Sequence, residues 1–309
     1  MNRRESLFDT RINRRTTIKG VLAAGAGAML AAPAFRAVAH GSQSAATAYP
    51  ELVIVATEYA LQIPATIEGG WTRLVLDNQG MMEHHVMFMR VNDDATLEDL
   101  EAALLEPAFE PMFAVSTSLG GPFAAPGARG SVILDLLPGT YVLICVIPDA
   151  AGVPHFALGM QAVLEVSAAV AGEAPAADAT VELMEMMFHN LPTEVAAGPQ
   201  VWKVDNIGGA VHEMVVAKLA PGLAFEQAQA MLLSSPEATP MDHGEATPAG
   251  EIAEAPIVIV GGAAPMSPHQ TNYAEFDFVP SDYLVICFVP DATGAPHAAL
   301  GMIMPFTVS

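Results

Sequence analysis

The stretch "CVIPDAAGVPHFALGM" runs from Cys145 to Met160, and "CFVPDATGAPHAALGM" runs from Cys287 to Met302. Position by position, 11 of the 16 residues are identical, among them the Cys, the Pro-Asp pair, the Pro-His pair and the closing Ala-Leu-Gly-Met. A thiol, an imidazole and a thioether in one short segment form a donor set of soft and borderline character. Its recurrence asks whether the whole chain is repeated.

Outward from these segments the repeat continues. "LVLDNQGMMEHHVMFMRV" (74–91) matches "WKVDNIGGAVHEMVVAKL" (202–219). Each contains Asp-Asn-x-Gly and then a His six residues after the Asn: His84 after Asn78, His212 after Asn206. "ALQIPATIEGGW" parallels "NLPTEVAAGPQVW", and "SVILDLLPGTYVLICVIPD" parallels "YAEFDFVPSDYLVICFVPD". The chain therefore reads as two homologous domains, 48–168 and 179–309, joined at 169–178 by a linker rich in Ala, Gly, Pro and acidic residues. That linker predicts separable domains. His84 lies 61 positions before Cys145, whereas His212 lies 75 before Cys287. The additional residues fall in the acidic, Pro-rich stretch 234–256, which reads as a surface loop.

Within each half, short runs such as "LVIVATEYAL", "TRLVLDN", "HHVMFMRV", "GSVILDLL", "TYVLICVI" and "QAVLEVS" alternate and are rich in Val, Ile, Leu and Tyr. Pro-Gly, Gly-Gly and Asp-Asn pairs punctuate them. "TLEDLEAALLEP" departs from this pattern. Thr96 and Asp99 form a capping-box signature, and Leu97, Leu100 and Leu104 follow helical spacing. "LAFEQAQAMLLS" (223–234) is its counterpart. The expected fold class is all-β: two tandem Greek-key β-sandwiches, each with a short inserted helix.

Residues 1–39 read as a targeting segment. Arg14 and Arg15 precede an apolar stretch, Val21 to Phe35, which is the pattern of a Tat export signal. Ala37-Val38-Ala39 offers a cleavage site. About 15 apolar residues fall short of the roughly 20 that span a bilayer, so an uncleaved anchor is the lesser reading. The formal net charge of the chain is −22; residues 1–39 hold seven basic and two acidic residues, so without them it becomes −27. Such a surface repels nucleic acid and anionic lipid and attracts a basic partner. The expected location is periplasmic or extracellular, with membrane contact only through the export signal.

Each half supplies one complete set of donors: His84, Cys145, His155 and Met160 in the first, His212, Cys287, His297 and Met302 in the second. Thiolate and thioether suit Cu(I), and imidazole suits both copper oxidation states. Zinc rarely takes a thioether. His85 adjoins His84, and strand register decides which faces inward; the match to His212 selects His84. A disulfide between Cys145 and Cys287 would require equivalent internal positions of two domains to meet. Most of the 17 Met alternate with other apolar residues in strands, which suits packing. His189 is expected on a strand, and His243 and His269 in loops.

These residues resemble the cupredoxins, the type 1 blue copper proteins such as plastocyanin, azurin and halocyanin. The resemblance covers both domains and rests on Asn-x-Gly followed by His, a strand ending in Cys, and Pro-His-x-Ala-Leu-Gly-Met. It implies a Greek-key β-sandwich, one copper per domain and one-electron transfer with a redox protein partner. It also implies that the C-terminal His of each set, His155 and His297, forms the solvent-facing edge. Family members have two to four residues between Cys and His, whereas nine stand here (146–154 and 288–296). "PDAAG" and "PDATG" read as turns that carry these extra residues aside and return the His to its place.

Two-domain copper nitrite reductases and multicopper oxidases resemble linked cupredoxins, wired to a second copper centre through a His beside the Cys. Here the neighbours are Ile144 and Val146, then Ile286 and Phe288. No catalytic residue is assigned, and the expectation is that the chain is not an enzyme. Copper storage or delivery, and a cupredoxin-fold interaction module without copper, are the alternative functions.

Overall fold

The computed structural model describes residues 49–106, 108–234 and 255–309. The export segment at 1–39, most of the acidic stretch at 234–256 and His243 lie outside the described residues. The expected all-β class holds: two sandwiches of short strands follow one another along the chain.

In the first half, one layer pairs Glu51–Thr57 parallel with Thr66–Asn78, which then pairs antiparallel with Arg129–Leu136. The other layer runs Gln161–Ala169, Gly139–Ile144, Met87–Val91, Ser116–Ser118. The long strand Thr66–Asn78 serves both layers, because its first residues pair with Gln161–Ala169. Gly69 and Gly70 sit at this crossing, where a Cβ on Gly70 would meet the Val170 carbonyl oxygen at 2.3 Å. Strands that switch layers make the corners of a sandwich.

The second half repeats the plan. Ala179–Met184 pairs parallel with Gly198–Asn206, which pairs with Thr271–Phe278. The facing layer runs Glu194–Val195, Ile303–Val308, Ser281–Ile286, His212–Leu219, Ile257–Met266. In both halves a tyrosine near the start of the Cys strand anchors the preceding turn. Tyr141 Oη donates to the Leu137 carbonyl and Tyr283 Oη to that of Val279, each at 2.9 Å. This is the corner device familiar from other sandwiches.

The helix expected after Thr96 runs Leu97–Ala103 with its capping box formed, and its counterpart runs Phe225–Leu233. The first half has a further short helix, Glu110–Val115. It escapes pattern reading because its six residues give fewer than two turns of periodicity. Pro111 is tolerated there because it lies in the first turn, where an N–H has no intrahelical partner anyway.

Residues 170–177 carry no helix or strand, in keeping with a linker. The halves are nevertheless fused, and the separability expected of a linker is corrected here. Thr271–Phe278 pairs with Arg129–Leu136 through Tyr273↔Ile133, Ala274↔Val132 and Glu275↔Ser131, making one sheet continuous across both halves. Arg73 binds Glu51 at 2.7 Å and, across the junction, Glu275 at 2.5 Å. Ser118 also bonds across the junction: its N–H donates to Ser267 Oγ at 3.0 Å and its hydroxyl to the Pro265 carbonyl at 2.6 Å. The apolar core also runs through both halves. One cluster joins Phe88, Tyr141 and Cys145 with Trp202, Phe276 and Cys287.

Candidate metal centres

The Asn-x-Gly motif has a definite mechanical task. Asn78 is buried, and its Oδ1 accepts from the Gly80 N–H at 2.9 Å. Its Nδ2 donates to the carbonyls of Met82 at 2.7 Å and Ala124 at 3.0 Å. Asn206 repeats all three bonds with Gly208, Ala210 and Met266. One side chain thus closes the turn and pins it to the next strand, so the His six residues on emerges at a fixed place. A carboxylate reinforces each turn. Glu58 accepts from the Met81 N–H and Glu185 from the Gly209 N–H.

The nine-residue interval between Cys and His closes as expected. Pro148 pairs with Pro154, and Pro290 with Pro296, as isolated antiparallel bridges. Between them Asp149 Oδ1 accepts from the N–H groups of Ala151 and Val153, both at 2.9 Å. Asp291 does the same with Thr293 and Ala295. The excursion is thus a sealed side loop. On its inner side the His155 N–H donates to the Ile147 carbonyl at 2.9 Å and the Phe156 N–H to the Cys145 carbonyl at 2.8 Å. His297 and Ala298 make the matching bonds to Val289 and Cys287, each at 2.9 Å.

A 3-10 turn, His155–Leu158, ends at Gly159 with φ 115°, a conformation that glycine adopts without strain. The Met160 N–H then donates to the His155 carbonyl at 2.9 Å, and the Cys145 N–H to the Met160 carbonyl at 3.3 Å. The second turn, His297–Leu300, closes through Gly301 and Met302 in the same way. Both methionines are fully buried in the cluster that holds the cysteines.

The side chains converge in two groups. The donor atoms of His84, Cys145 and His155 all lie within 4.8 Å of one another, as do those of His212, Cys287 and His297. His84 Nδ1 stands 3.2 Å from His155 Nδ1, which is 3.5 Å from Cys145 Sγ. In the second group the corresponding distances are 3.1 and 3.5 Å. Both cysteines are free and buried, each beside its own histidines, so the interdomain disulfide does not form. Two imidazole nitrogens and a sulfur facing one point are a donor set that suits copper.

Burial sets the electrostatics. Desolvation first, then the neighbouring His155, lowers the His84 pKa to about 4. The same causes, with His297 as the neighbour, lower that of His212 to about 4. Burial also lowers those of His155 and His297. At neutral pH these imidazoles are uncharged, the form that binds a metal. Burial pushes the Cys145 thiol up to about 12, and Cys287 moves in the same direction. Such thiols ionise only against a positive charge placed beside them.

One expectation about this region is corrected. His155 and His297 are not the solvent-facing edge: they are 1% and 3% exposed. The 3-10 turns rotate the imidazoles inward, and the apolar side chains left outside are Leu158 and Leu300. The Tyr59 ring also covers His155 edge-on at 5.2 Å, where the second half has Met186.

His84, not His85, faces the centre. His85 instead accepts the Val146 N–H through Nε2 at 3.1 Å, and Glu213 accepts the Phe288 N–H at 2.7 Å in the matching position. His189 lies on a strand and pairs with Glu182 at 2.7 Å; His269 lies in a turn with φ 64°. Sequence reading missed Glu58 and Glu185, although both stand at the same place of the repeat, in "TEYA" and "MEMM". It also missed Glu83, His85 and Glu213 as buried groups.

No protein-family model matches the chain, and no curated protein matches it. Solved structures do. A dithionite-reduced auracyanin from Roseiflexus castenholzii aligns at 20% identity over 39% of this chain and 98% of its own, with a TM-score of 0.25. A multicopper oxidase aligns at 16% identity over 84% of this chain and 88% of its own, TM-score 0.23. A copper-containing nitrite reductase from Thermus scotoductus aligns at 11% identity over 84% of this chain and 61% of its own, TM-score 0.24. The fold class is the all-β sandwich arrangement that the strands themselves show. These alignments overturn the expectation that the chain is not an enzyme. The oxidase and the reductase, both named as enzymes, run alongside most of the chain, and the exclusion of catalysis is withdrawn.

Proposed function

We propose that each half holds one copper ion and that the two sites pass single electrons to and from a redox protein. His84, Cys145, His155 and Met160 hold the first ion; His212, Cys287, His297 and Met302 hold the second. The observation that carries this reading is the recurrence of a buried group of two imidazoles and a thiol, built by the same loop closure in both copies. Copper, when bound, supplies a one-electron couple.

The chain's own residues supply the rest. The Asn78 and Asn206 turns, and the closed Cys-to-His loops, hold the donors at fixed separations before any ion arrives. Little movement is then needed between oxidation states, which favours fast transfer. The backbone N–H of Glu213 donates to Cys287 Sγ at 3.5 Å, stabilising that sulfur as a thiolate. The exposed Leu158 and Leu300 give each site an apolar rim, and the acidic surface suits a partner with a basic docking face. Tat export would place the protein in the periplasm or outside the cell. No helix among the described residues is long and apolar enough to cross a membrane.

A visible absorption spectrum of the Cu(II)-loaded chain, taken with copper content, tests this. Two coppers per chain and an intense thiolate-to-copper band are expected. Cys145→Ser and Cys287→Ser should each remove one copper and about half of the band. Copper bound without that band would indicate storage or delivery instead, and absence of copper would leave an interaction module.

A further inference from the structure

The strand that presents each ligand His has a second side. Strand alternation sends His84 to the metal centre and its neighbours Glu83 and His85 the other way. In the second half His212 faces inward and Glu213 outward. Glu83, His85 and Glu213 all line one cavity of about 990 Å³ between the halves. They are 5%, 2% and 4% exposed. Among the described residues, Glu83 Oε1 and His85 Nδ1 have no hydrogen-bond partner.

Comparing the two copies separates what the fold needs from what it does not. After the ligand His, both copies need an acceptor for the N–H that follows the Cys. His85 Nε2 fills that place in one and Glu213 Oε1 in the other. Before the ligand His, the second copy has Val211 where the first has Glu83. The sandwich therefore closes with an apolar side chain at this position. A buried acceptor left unpaired is destabilising, and the valine of the second copy shows that the sandwich closes without Glu83.

The occupant's chemistry follows from the lining. His85 Nε2 accepts a hydrogen bond, so in the neutral ring Nδ1 carries the proton and presents a donor. The two carboxyl groups present acceptors. Phe109, Phe113, Phe123 and Phe288 line the same cavity, and aromatic rings suit the apolar body of a desolvated cation. Only the two Cys-containing groups bring three donors within 4.8 Å among the described residues, so the Glu83, His85 and Glu213 donors are spread more widely than a bare metal ion requires. We propose that this cleft is a third binding site, for a small organic ammonium with an apolar body. The Glu83 and Glu213 oxygens accept from the ammonium N–H groups, and His85 Nδ1–H donates to an oxygen on the same molecule. The site does not depend on copper being bound nearby.

Calorimetry on the full chain tests this with three probes: benzylamine, benzyl alcohol and Zn²⁺, with the metal content of the protein measured beforehand. Benzylamine should bind once per chain, at least tenfold more tightly than benzyl alcohol. Glu83→Val installs the residue of the second copy. It should raise the melting temperature and weaken benzylamine at least tenfold, while Glu83→Gln weakens it without the gain in stability. Equal binding of the amine and the alcohol would overturn the proposal. So would amine binding unaffected by Glu83→Val. Zn²⁺ binding that Glu83→Val abolishes, with no amine binding, would assign the cleft to a metal ion instead.

Discussion

At the scale of single residues, the two asparagines show how much one side chain can organise. Asn78 is 1% exposed, and the three hydrogen bonds of its side chain are all internal. Asn78→Ala would leave the Met82 and Ala124 carbonyls without this partner, at about 1–3 kcal/mol for each that stays unpaired. Asn78→Asp keeps the shape but sets a carboxylate against both carbonyls. The expected outcome is a lower melting temperature for both variants, with Asp the more harmful at neutral pH. The thiolate-to-copper band of the first site should weaken while that of the second is retained. Calorimetry and absorption spectroscopy on each variant check this, and equal loss at both sites would refute the local role. The motif was legible in the sequence as a turn signal. Its anchoring was not, because Ala124 lies 46 residues beyond Asn78 and no spacing rule connects them. Glu58 is hidden for the same reason, since the Met81 it holds is 23 residues away.

At the scale of elements, the Cys-to-His interval was the point at which this chain departed from the family it resembles. The structure reconciles the two. Residues 149–153 turn back on themselves, and the bonds that place His155 lie outside that turn, at Ile147 and Cys145. The prediction is that residues 149–153 are dispensable. Replacing them with Gly-Gly-Ser gives a shorter, flexible connection that can join the paired Pro148 and Pro154. Copper content and the absorption band of the first site should be unchanged. Loss of that site would mean that the excursion positions His155 actively. Turn chemistry made this side loop legible, as alternation did the strands and the capping box did the helix after Thr96. The short helix Glu110–Val115 gave no such signal. Nor did the inward rotation of His155 and His297, which a 3-10 turn decides rather than a periodic pattern.

At the scale of the whole molecule, the fusion of the halves creates features that neither half has alone. It buries Glu83 and Glu213 in one cleft, where desolvation raises their pKa values to about 8 and about 7, with Glu213 adding to the effect on Glu83. Sequence could not show this, because the pairing of Tyr273 with Ile133 spans the linker and carries no motif. The same burial governs how the metal-free protein responds to pH. His84 and His212 at about 4, His85 at about 3, and His155 and His297, also lowered, take protons more readily when unfolded, near 6.5. Their contribution is lost as pH falls from 6.5 towards 4. The two glutamates act in the opposite sense. Folded, they keep protons that the unfolded chain releases near 4.5, so their contribution is lost as pH rises from 4.5 towards 8. Between 4.5 and 6.5 five histidines oppose two glutamates, and stability rises with pH. Past 6.5 the unfolded histidines lose their remaining protons, the glutamates come to dominate, and it falls. Denaturant melts of the metal-free chain from pH 4 to 8 should therefore show a maximum near 6.5. Glu83→Val removes one of the two opposing carboxyls and should flatten the decline above the maximum. An unchanged decline in that variant would mean that Glu83 does not hold its proton in the cleft.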